Sequence, residues 1–202
     1  RPNSIFAQSG ITEKPDVVAA KLLEGRIAVM VEGSPVILTL PYLFWEDVQS
    51  GEDYYERTVF TTLLRTVRIV ALILGIILPG LYVALQHFHY DVIPLTLLLT
   101  ITASTPGVPF PPFGEVIFVL FLFEIIREAG VRMPQALGLA MSVVGALVLG
   151  DTAVKAGFIG STAVMVVALS AISLYTVPNA VGSSALLRLC FTIAGGLAGL
   201  YG

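Results

Sequence analysis

The ionisable residues of this chain are crowded into its first third. Of its 11 basic and 14 acidic residues, 16 lie within residues 1–68, and the other 134 residues carry only 9. Charged residues make up 12% of the chain, about half of the roughly 25% that is usual in soluble domains. A soluble domain this apolar would have too little polar surface to cover itself. The distribution therefore predicts a short polar part joined to a membrane part.

Composition and motifs argue against several classes of function. The net charge is −3, and no run of Lys or Arg resembles a nucleic-acid-binding patch, so no nucleic-acid partner is expected. The sequence has no zinc-protease motif, no P-loop, no dinucleotide-binding motif and no nucleophile elbow, so it is not predicted to be an enzyme. Cys190 is the single cysteine, and the only histidines are His87 and His89, with Asp91 nearby. We therefore expect neither a metal site nor a cofactor.

Residues 1–50 have the pattern of the end of a small α/β domain. A short helix is expected to begin at Pro15 and to end before Gly25, because Pro is tolerated in the first turn of a helix and Gly commonly follows the last. Two β-rich runs, at 26–31 and 36–40, flank a turn that contains Gly and Pro. This arrangement predicts a β-hairpin.

Residues 51–68 have the pattern of an amphipathic juxtamembrane helix. Arg57, Arg65 and Arg68 fall on one helical face, and aromatic and aliphatic residues cover the rest. The alternative is an ordinary solvated helix face. Basic residues directly before a membrane span mark its cytoplasmic side. The preceding α/β segment is therefore expected to lie in the cytoplasm.

Residues 69–202 are dominated by apolar segments, which predicts a transmembrane helix bundle in a lipid bilayer. The expected spans are 69–85, 134–150, 161–175 and a last one that begins near Leu186. The predicted fold is thus mainly α, a multi-span transmembrane helix bundle with a small N-terminal α/β cytoplasmic segment.

A proline-rich segment at 104–114 breaks this pattern. It contains Pro106, Gly107, Pro109, Pro111 and Pro112, and so many prolines exclude a helix. The apolar runs on either side are each shorter than the roughly 20 residues that a spanning helix needs. The segment is therefore either the middle of a broken or re-entrant helix pair, or a loop at the membrane surface.

The apolar helix after this break begins with an acid, Glu115. Ionisable residues inside a membrane are costly, and they are candidates for function by default. Glu115 shares one helical face with Val119, Leu122 and Ile126. An acid followed by apolar side chains predicts a pore or ion path, with a cation-attracting mouth and an apolar constriction. The alternative is that Glu115 caps its helix and that this face is buried core.

A charged cluster follows near the end of the same helix. It consists of Glu124, Arg127, Glu128 and Arg132. Spacings of three and four residues allow these groups to pair locally, and the cluster also fits an ordinary interfacial helix end. Arg188, in a later apolar helix, is expected to extend its guanidinium towards an interface.

A stripe of small residues predicts close helix packing. The stripe recurs every four residues, at Gly138, Ser142, Ala146 and Gly150. Small side chains let helices approach each other in lipid, where apolar burial provides little drive for association. Gly195 and Gly199 have the same spacing in the last predicted span.

Several motifs occur along the chain in a particular order. They are Glu-Gly-Arg at 24–26, Val-Glu-Gly-Ser-Pro at 31–35, Phe44, Glu-Asp-Tyr-Tyr at 52–55, Gly-Val-Pro-Phe-Pro-Pro at 107–112 and Arg-Glu-Ala-Gly-Val-Arg-Met-Pro at 127–134. In this order they resemble the A subunits of bacterial spore germinant receptors, the GerA family, over essentially the whole chain. The family's large N-terminal soluble domain and basic C-terminal tail are expected outside this sequence.

The resemblance implies a function that composition and spacing do not give. It implies a multi-pass protein of the spore inner membrane and a subunit of a nutrient-germinant receptor that acts with B and C subunits. It also implies self-association, as a pentamer, into a ligand-gated cation channel that triggers germination. The alternatives are a secondary transporter and a non-conducting membrane scaffold.

Overall fold

The computed structural model describes residues 7–54, 56–104, 107–132, 134, 143, 145, 147 and 150–201. These residues are mainly helical and include one small sheet. They divide into two compact units. The first is formed by Arg1–Leu72 and Leu174–Ser184, and the second by Ile73–Ser173 and Ala185–Gly202.

The three strands lie in the first 40 residues, and helices make up most of the described chain after them. The strands are β1 (Gly10–Thr12), β2 (Ile27–Met30) and β3 (Ile37–Leu40). The helices are α1 (Pro15–Leu23), α2 (Trp45–Val48), α3 (Thr58–Phe88), α4 (Leu95–Ser104), α5 (Pro112–Arg132), α6 (Ser161–Leu174) and α7 (Val181–Ala198). Residues 150–155 are also helical, and short 3-10 turns occur at Gly51–Tyr54, Tyr90–Val92, Pro178–Ala180 and Gly199–Tyr201.

The sheet of the first unit is antiparallel, with the spatial order β1-β3-β2. The two β-rich runs of the sequence form β2 and β3, which pair as a hairpin. In the central strand, Thr39 lies opposite Gly10 of β1 and Ala28 of β2. Helix α1 begins at Pro15, where the missing N–H of proline costs no hydrogen bond.

The prediction of a multi-span transmembrane bundle is wrong. Within the described part of the chain, two helical segments are long and apolar enough to cross a membrane, Thr58–Phe88 and Pro178–Tyr201. They contain the first and the last of the expected spans. The span expected at 134–150 lies mostly outside the described residues.

The other apolar helices fail as spans for two physical reasons. Helix α4 has 10 residues and α6 has 14, which at 1.5 Å per residue gives about 15 and 21 Å against a hydrocarbon core of about 30 Å. Helix α5 is long enough, with 21 residues, but it carries several charges. These are Glu115, Glu124, Arg127, Glu128 and Arg132.

The second unit is held together by aliphatic packing and by one close helix contact. Its buried core consists of Val83, Val116, Val119, Leu120, Ile159, Ala163 and Val167. Helices α3 and α7 meet where Gly80 and Gly195 face each other. A Cβ built on Gly195 would lie 2.5 Å from the carbonyl oxygen of Gly80, so the two backbones are in direct contact.

Candidate functional site in the second unit

Glu115 lies in the first turn of α5, and the residue is only 2% exposed. Its Oε1 accepts a hydrogen bond from the backbone N–H of Gly160. Gly160 directly precedes α6, so the carboxylate contacts the N-terminal end of a different helix from its own. A buried acid needs such a partner because removal from water disfavours its charged form. Sequence spacing gave no indication of this contact.

The other three residues of the predicted ion-path face are packed against protein. Val119 belongs to the buried core, and Leu122 packs against that core. Ile126 is half-buried. Within one chain, this packing favours the buried-core alternative for the face over an open, water-lined surface.

Near Glu115, a hydrogen bond joins α3 to α6. The hydroxyl groups of Tyr82 and Thr162 lie 2.9 Å apart, and Tyr82 packs against the same aliphatic core. The phenol therefore combines an apolar contact with a satisfied polar group, as buried tyrosines usually do.

A polar junction lies further along α5, formed by the buried Gly75, Ser170 and Arg188 and by Glu124, whose side chain is 32% exposed. Arg188 is 2% exposed, and its Nη2 donates to Oε1 of Glu124 at 2.7 Å. Its Nη1 lies 3.4 Å from Oγ of Ser170, and Ser170 donates to the carbonyl oxygen of Gly75 at 2.6 Å. The expectation that Arg188 extends to an interface is therefore wrong, because partners inside the unit satisfy its guanidinium.

The charged cluster of α5 divides into two pairs. Oε2 of Glu124 pairs with Arg127 at 2.7 Å, while Oε1 of Glu124 belongs to the polar junction. Glu128 pairs with Arg132 at 2.7 Å, and both of those side chains are more than half exposed. The two pairs follow the three- and four-residue spacings, but only the first connects to another helix among the described residues.

The proline-rich segment and the small-residue stripe are described only in part. Pro106, Gly138, Ser142 and Ala146 lie outside the described residues. Between α4 and α5, the non-helical backbone includes Gly107, whose φ of +91° is favoured by glycine, and the exposed Pro109 and Pro111, while Pro112 begins α5. A Cβ built on Gly150 meets nothing within 4 Å.

A buried acid outside the predicted site residues, although within the Glu-Asp-Tyr-Tyr motif, organises the start of α3 in the first unit. The side chain of Asp53 is 2% exposed. It accepts hydrogen bonds from Arg68 Nη1 at 2.8 Å, from Arg65 Nε at 3.1 Å and from the Ser50 N–H at 3.1 Å. Two of the three arginines on the predicted amphipathic face, Arg65 and Arg68, thus point to a carboxylate of the same unit.

Electrostatics sets the ionisation of this carboxylate. Burial alone would raise the pKa of Asp53, but the hydrogen bonds from Arg68, Ser50 and Arg65 together hold the pKa below its ordinary value. The carboxylate is therefore charged throughout the physiological range, which keeps both arginines paired.

A second cluster of opposite charges in the first unit surrounds Glu46. Lys21 Nζ lies 2.7 Å from its Oε2, Arg26 pairs with its Oε1, and the Leu43 N–H donates to it at 2.9 Å. Burial acts to raise the pKa of Glu46, and these donors outweigh it, so the pKa is lowered. Through Lys21 and Glu46, the cluster joins α1 to α2.

Comparison with known proteins identifies the family. The family model described as Bacillus/Clostridium GerA spore germination protein matches residues 1–202. The chain therefore belongs to the GerA family, and the resemblance carried by its motifs is confirmed.

Individual relatives are similar along nearly the whole chain. Spore germination protein KA of Bacillus subtilis (strain 168) is 46% identical over 193 residues, which cover 95% of this chain and 36% of that protein. Spore germination protein GerLA of Bacillus cereus is 39% identical over 98% of this chain and 41% of that protein. The protein named uncharacterized membrane protein YfkQ of Bacillus subtilis (strain 168) is 39% identical over 98% of this chain and 39% of its own length. The chain thus spans well under half of these relatives, and no solved structure matches it.

Proposed function

We propose that this chain is the membrane part of a spore germination receptor subunit, which assembles with further copies of itself into a cation channel whose opening triggers germination. Relatives named spore germination proteins and one named a membrane protein support this proposal. Helix α3 and the segment Pro178–Tyr201 would anchor it in the spore inner membrane. Receptor B and C subunits are its proposed partners.

The observation that carries the ion-conducting role is the burial of Glu115 among apolar helices. An acid in this position costs free energy that an apolar residue would not, so its presence there supports a functional role. It lies one helical turn after the non-helical backbone around Gly107 and Pro109, and such backbone is tolerated at membrane depth where protein buries it or water reaches it. We place Glu115 at the mouth of the proposed cation path.

The packed face below Glu115 corresponds to a closed path in this proposal. Val119 and Leu122 are held in or against the core. Opening would therefore separate this face from its neighbours, and closing would exclude water from an apolar constriction.

The test replaces Glu115 by glutamine in the full-length receptor, expressed in spores together with its partner subunits. Glutamine keeps an oxygen that can accept the Gly160 N–H, so the fold is preserved while the charge is removed. Cation release after germinant addition should fall several-fold. Asp151→Asn is the matched control, because Asp151 makes an exposed pair with Lys155 and its loss should leave release normal. Normal triggered release from Glu115→Gln spores with normal protein levels would contradict the proposal.

A non-conducting membrane scaffold is the second candidate, and the burial of Val119 favours it. Val119 is 9% exposed within the aliphatic core. If this face is only core, Val119→Ala should cost about 1 kcal/mol of stability or somewhat more and leave cation release from unstimulated spores unchanged. If the face closes an ion path, the same change should make unstimulated spores leak cations. Measuring resting release therefore separates the two functions.

A further inference from the structure

Arg188 is a buried cation on a helix that is otherwise uncharged. A guanidinium has five N–H donors and no acceptor, so burying it requires acceptors on neighbouring elements. The structure supplies Glu124 from α5 and Ser170 from α6. The ring of Phe123 lies 5.5 Å from the guanidinium carbon, within the range of a cation–π contact.

The donor and the acceptor of each hydrogen bond to Ser170 can be assigned. The Ser170 hydroxyl has a single proton, and the carbonyl oxygen of Gly75 accepts it at 2.6 Å. The oxygen of Ser170 therefore accepts from Arg188, not the reverse. Arg188 on α7 is thus connected to α5 directly, to α6 through Ser170, and to α3 through Ser170 and Gly75.

Glu124 has two arginine partners of different kinds. Arg188 reaches it from another helix, whereas Arg127 lies three residues further along α5 itself. If α5 moves relative to α7, Glu124 can lose Arg188 and still keep Arg127. A carboxylate with one partner on its own helix and one on another helix can therefore be paired in two positions of α5.

The energetics of buried ion pairs indicates that this pair fixes one arrangement of the helices more than it adds to the stability of the fold. A buried ion pair often adds little net stability compared with apolar residues of similar volume, because desolvation offsets the attraction. Removing Glu124 is nevertheless strongly unfavourable, since the Arg188 guanidinium is left buried, whereas the Glu124 side chain is 32% exposed and also pairs with Arg127. Such a pair fixes one arrangement of helices, and an event that separates it changes that arrangement.

We propose that the Arg188–Glu124 pair is a latch, in which Arg188 acts as a positioning residue that holds α5 in its resting position. Release of the latch lets α5 move while Glu124 remains paired with Arg127. The inference rests on the proposed function, because the movement of α5 is what would open the path at Glu115.

The first measurement tests the latch without any ion flux. Arg188→Gln and Glu124→Gln each break the pair, Arg188→Lys keeps the charge, and Lys155→Gln removes an exposed cation as the control. Hydrogen exchange of the full-length protein in lipid nanodiscs is followed over residues 112–132. Arg188→Gln should raise exchange there by about tenfold, as expected for easier local opening, whereas Arg188→Lys and Lys155→Gln should stay near the wild type. Equal exchange in Arg188→Gln and Lys155→Gln would overturn the latch.

The second measurement separates a latch from a merely structural contact. In spores, loss of a latch should increase cation release before germinant is added, and Arg188→Lys should restore normal resting release. A structural role predicts instead that triggered release is lost without any resting leak, and that result would overturn the proposal. If Arg188→Gln does not accumulate in the membrane, Glu124→Gln gives the same comparison, because it removes the carboxylate charge that pairs with Arg188 and keeps the size of the side chain. Glu115→Gln reports separately on the ion path, so failure of the path and failure of the latch are distinguishable.

Discussion

Replacing Gly195 by alanine should force helices α3 and α7 apart. The added Cβ would lie 2.5 Å from the carbonyl oxygen of Gly80, 3.1 Å from its carbonyl carbon and 3.3 Å from its Cα. All three atoms belong to the backbone of α3, so no side chain can rotate away to make room. The helices must separate, which also loosens the packing on either side of the contact.

The expected size of the effect follows from two opposing terms. Alanine is favoured over glycine inside a helix by about 1 kcal/mol. Overpacking a close contact costs about 1–3 kcal/mol, and a clash with backbone belongs to the upper part of that range. We therefore expect Gly195→Ala to lower the free energy of unfolding by about 1–2 kcal/mol.

Gly182 provides a matched control on the same helix. A Cβ built there meets nothing within 4 Å, so Gly182→Ala should be neutral or stabilising by up to about 1 kcal/mol. The assay is unfolding of the purified protein in detergent, followed by the helical circular dichroism signal. Equal stability of the two variants would refute the inferred backbone contact between α3 and α7.

Two further predictions concern hydrogen bonds that the structure identifies. Asp53→Asn should destabilise the start of α3 by about 2–4 kcal/mol, measured by hydrogen exchange over residues 58–68. Because the folded pKa of Asp53 lies below its ordinary value of 3.8, its contribution is complete above that value and is lost as the pH falls through the lower, folded pKa. Tyr82→Phe removes the bond to Thr162 and should cost about 1 kcal/mol in the detergent unfolding assay; an unchanged stability would exclude that bond.

Features that depend on near neighbours in the sequence could be anticipated. The hairpin of β2 and β3 is visible because two β-rich runs flank a short turn that contains Gly and Pro. Helix α1 is visible because Pro15 marks its first turn and Gly25 follows its end. These patterns have local causes, so a single sequence is enough to read them.

The number of membrane-crossing helices could not be anticipated from apolar character alone. The span expected at 161–175 becomes α6, whose 14 residues are too few to cross the hydrocarbon core. Helix α5 shows the other requirement, because its length is sufficient but its charges, beginning with Glu115, are too many. Spanning requires length and low charge together, and apolar character alone reports neither.

The pairing of Arg188 shows a more basic limit of sequence reasoning. Spacing along a helix reveals partners three and four residues apart, such as Glu128 and Arg132, and those side chains are more than half exposed. Such exposed helical pairs contribute only about 0.3–0.5 kcal/mol. Glu124 and Arg188 are 64 residues apart in sequence, and Arg188 is 2% exposed. The Glu124 side chain is 32% exposed, so water still screens the pair in part, but loss of Glu124 would leave the buried guanidinium without its carboxylate. The interaction that spacing cannot reveal is therefore the one whose loss should cost the second unit more than loss of an exposed helical pair.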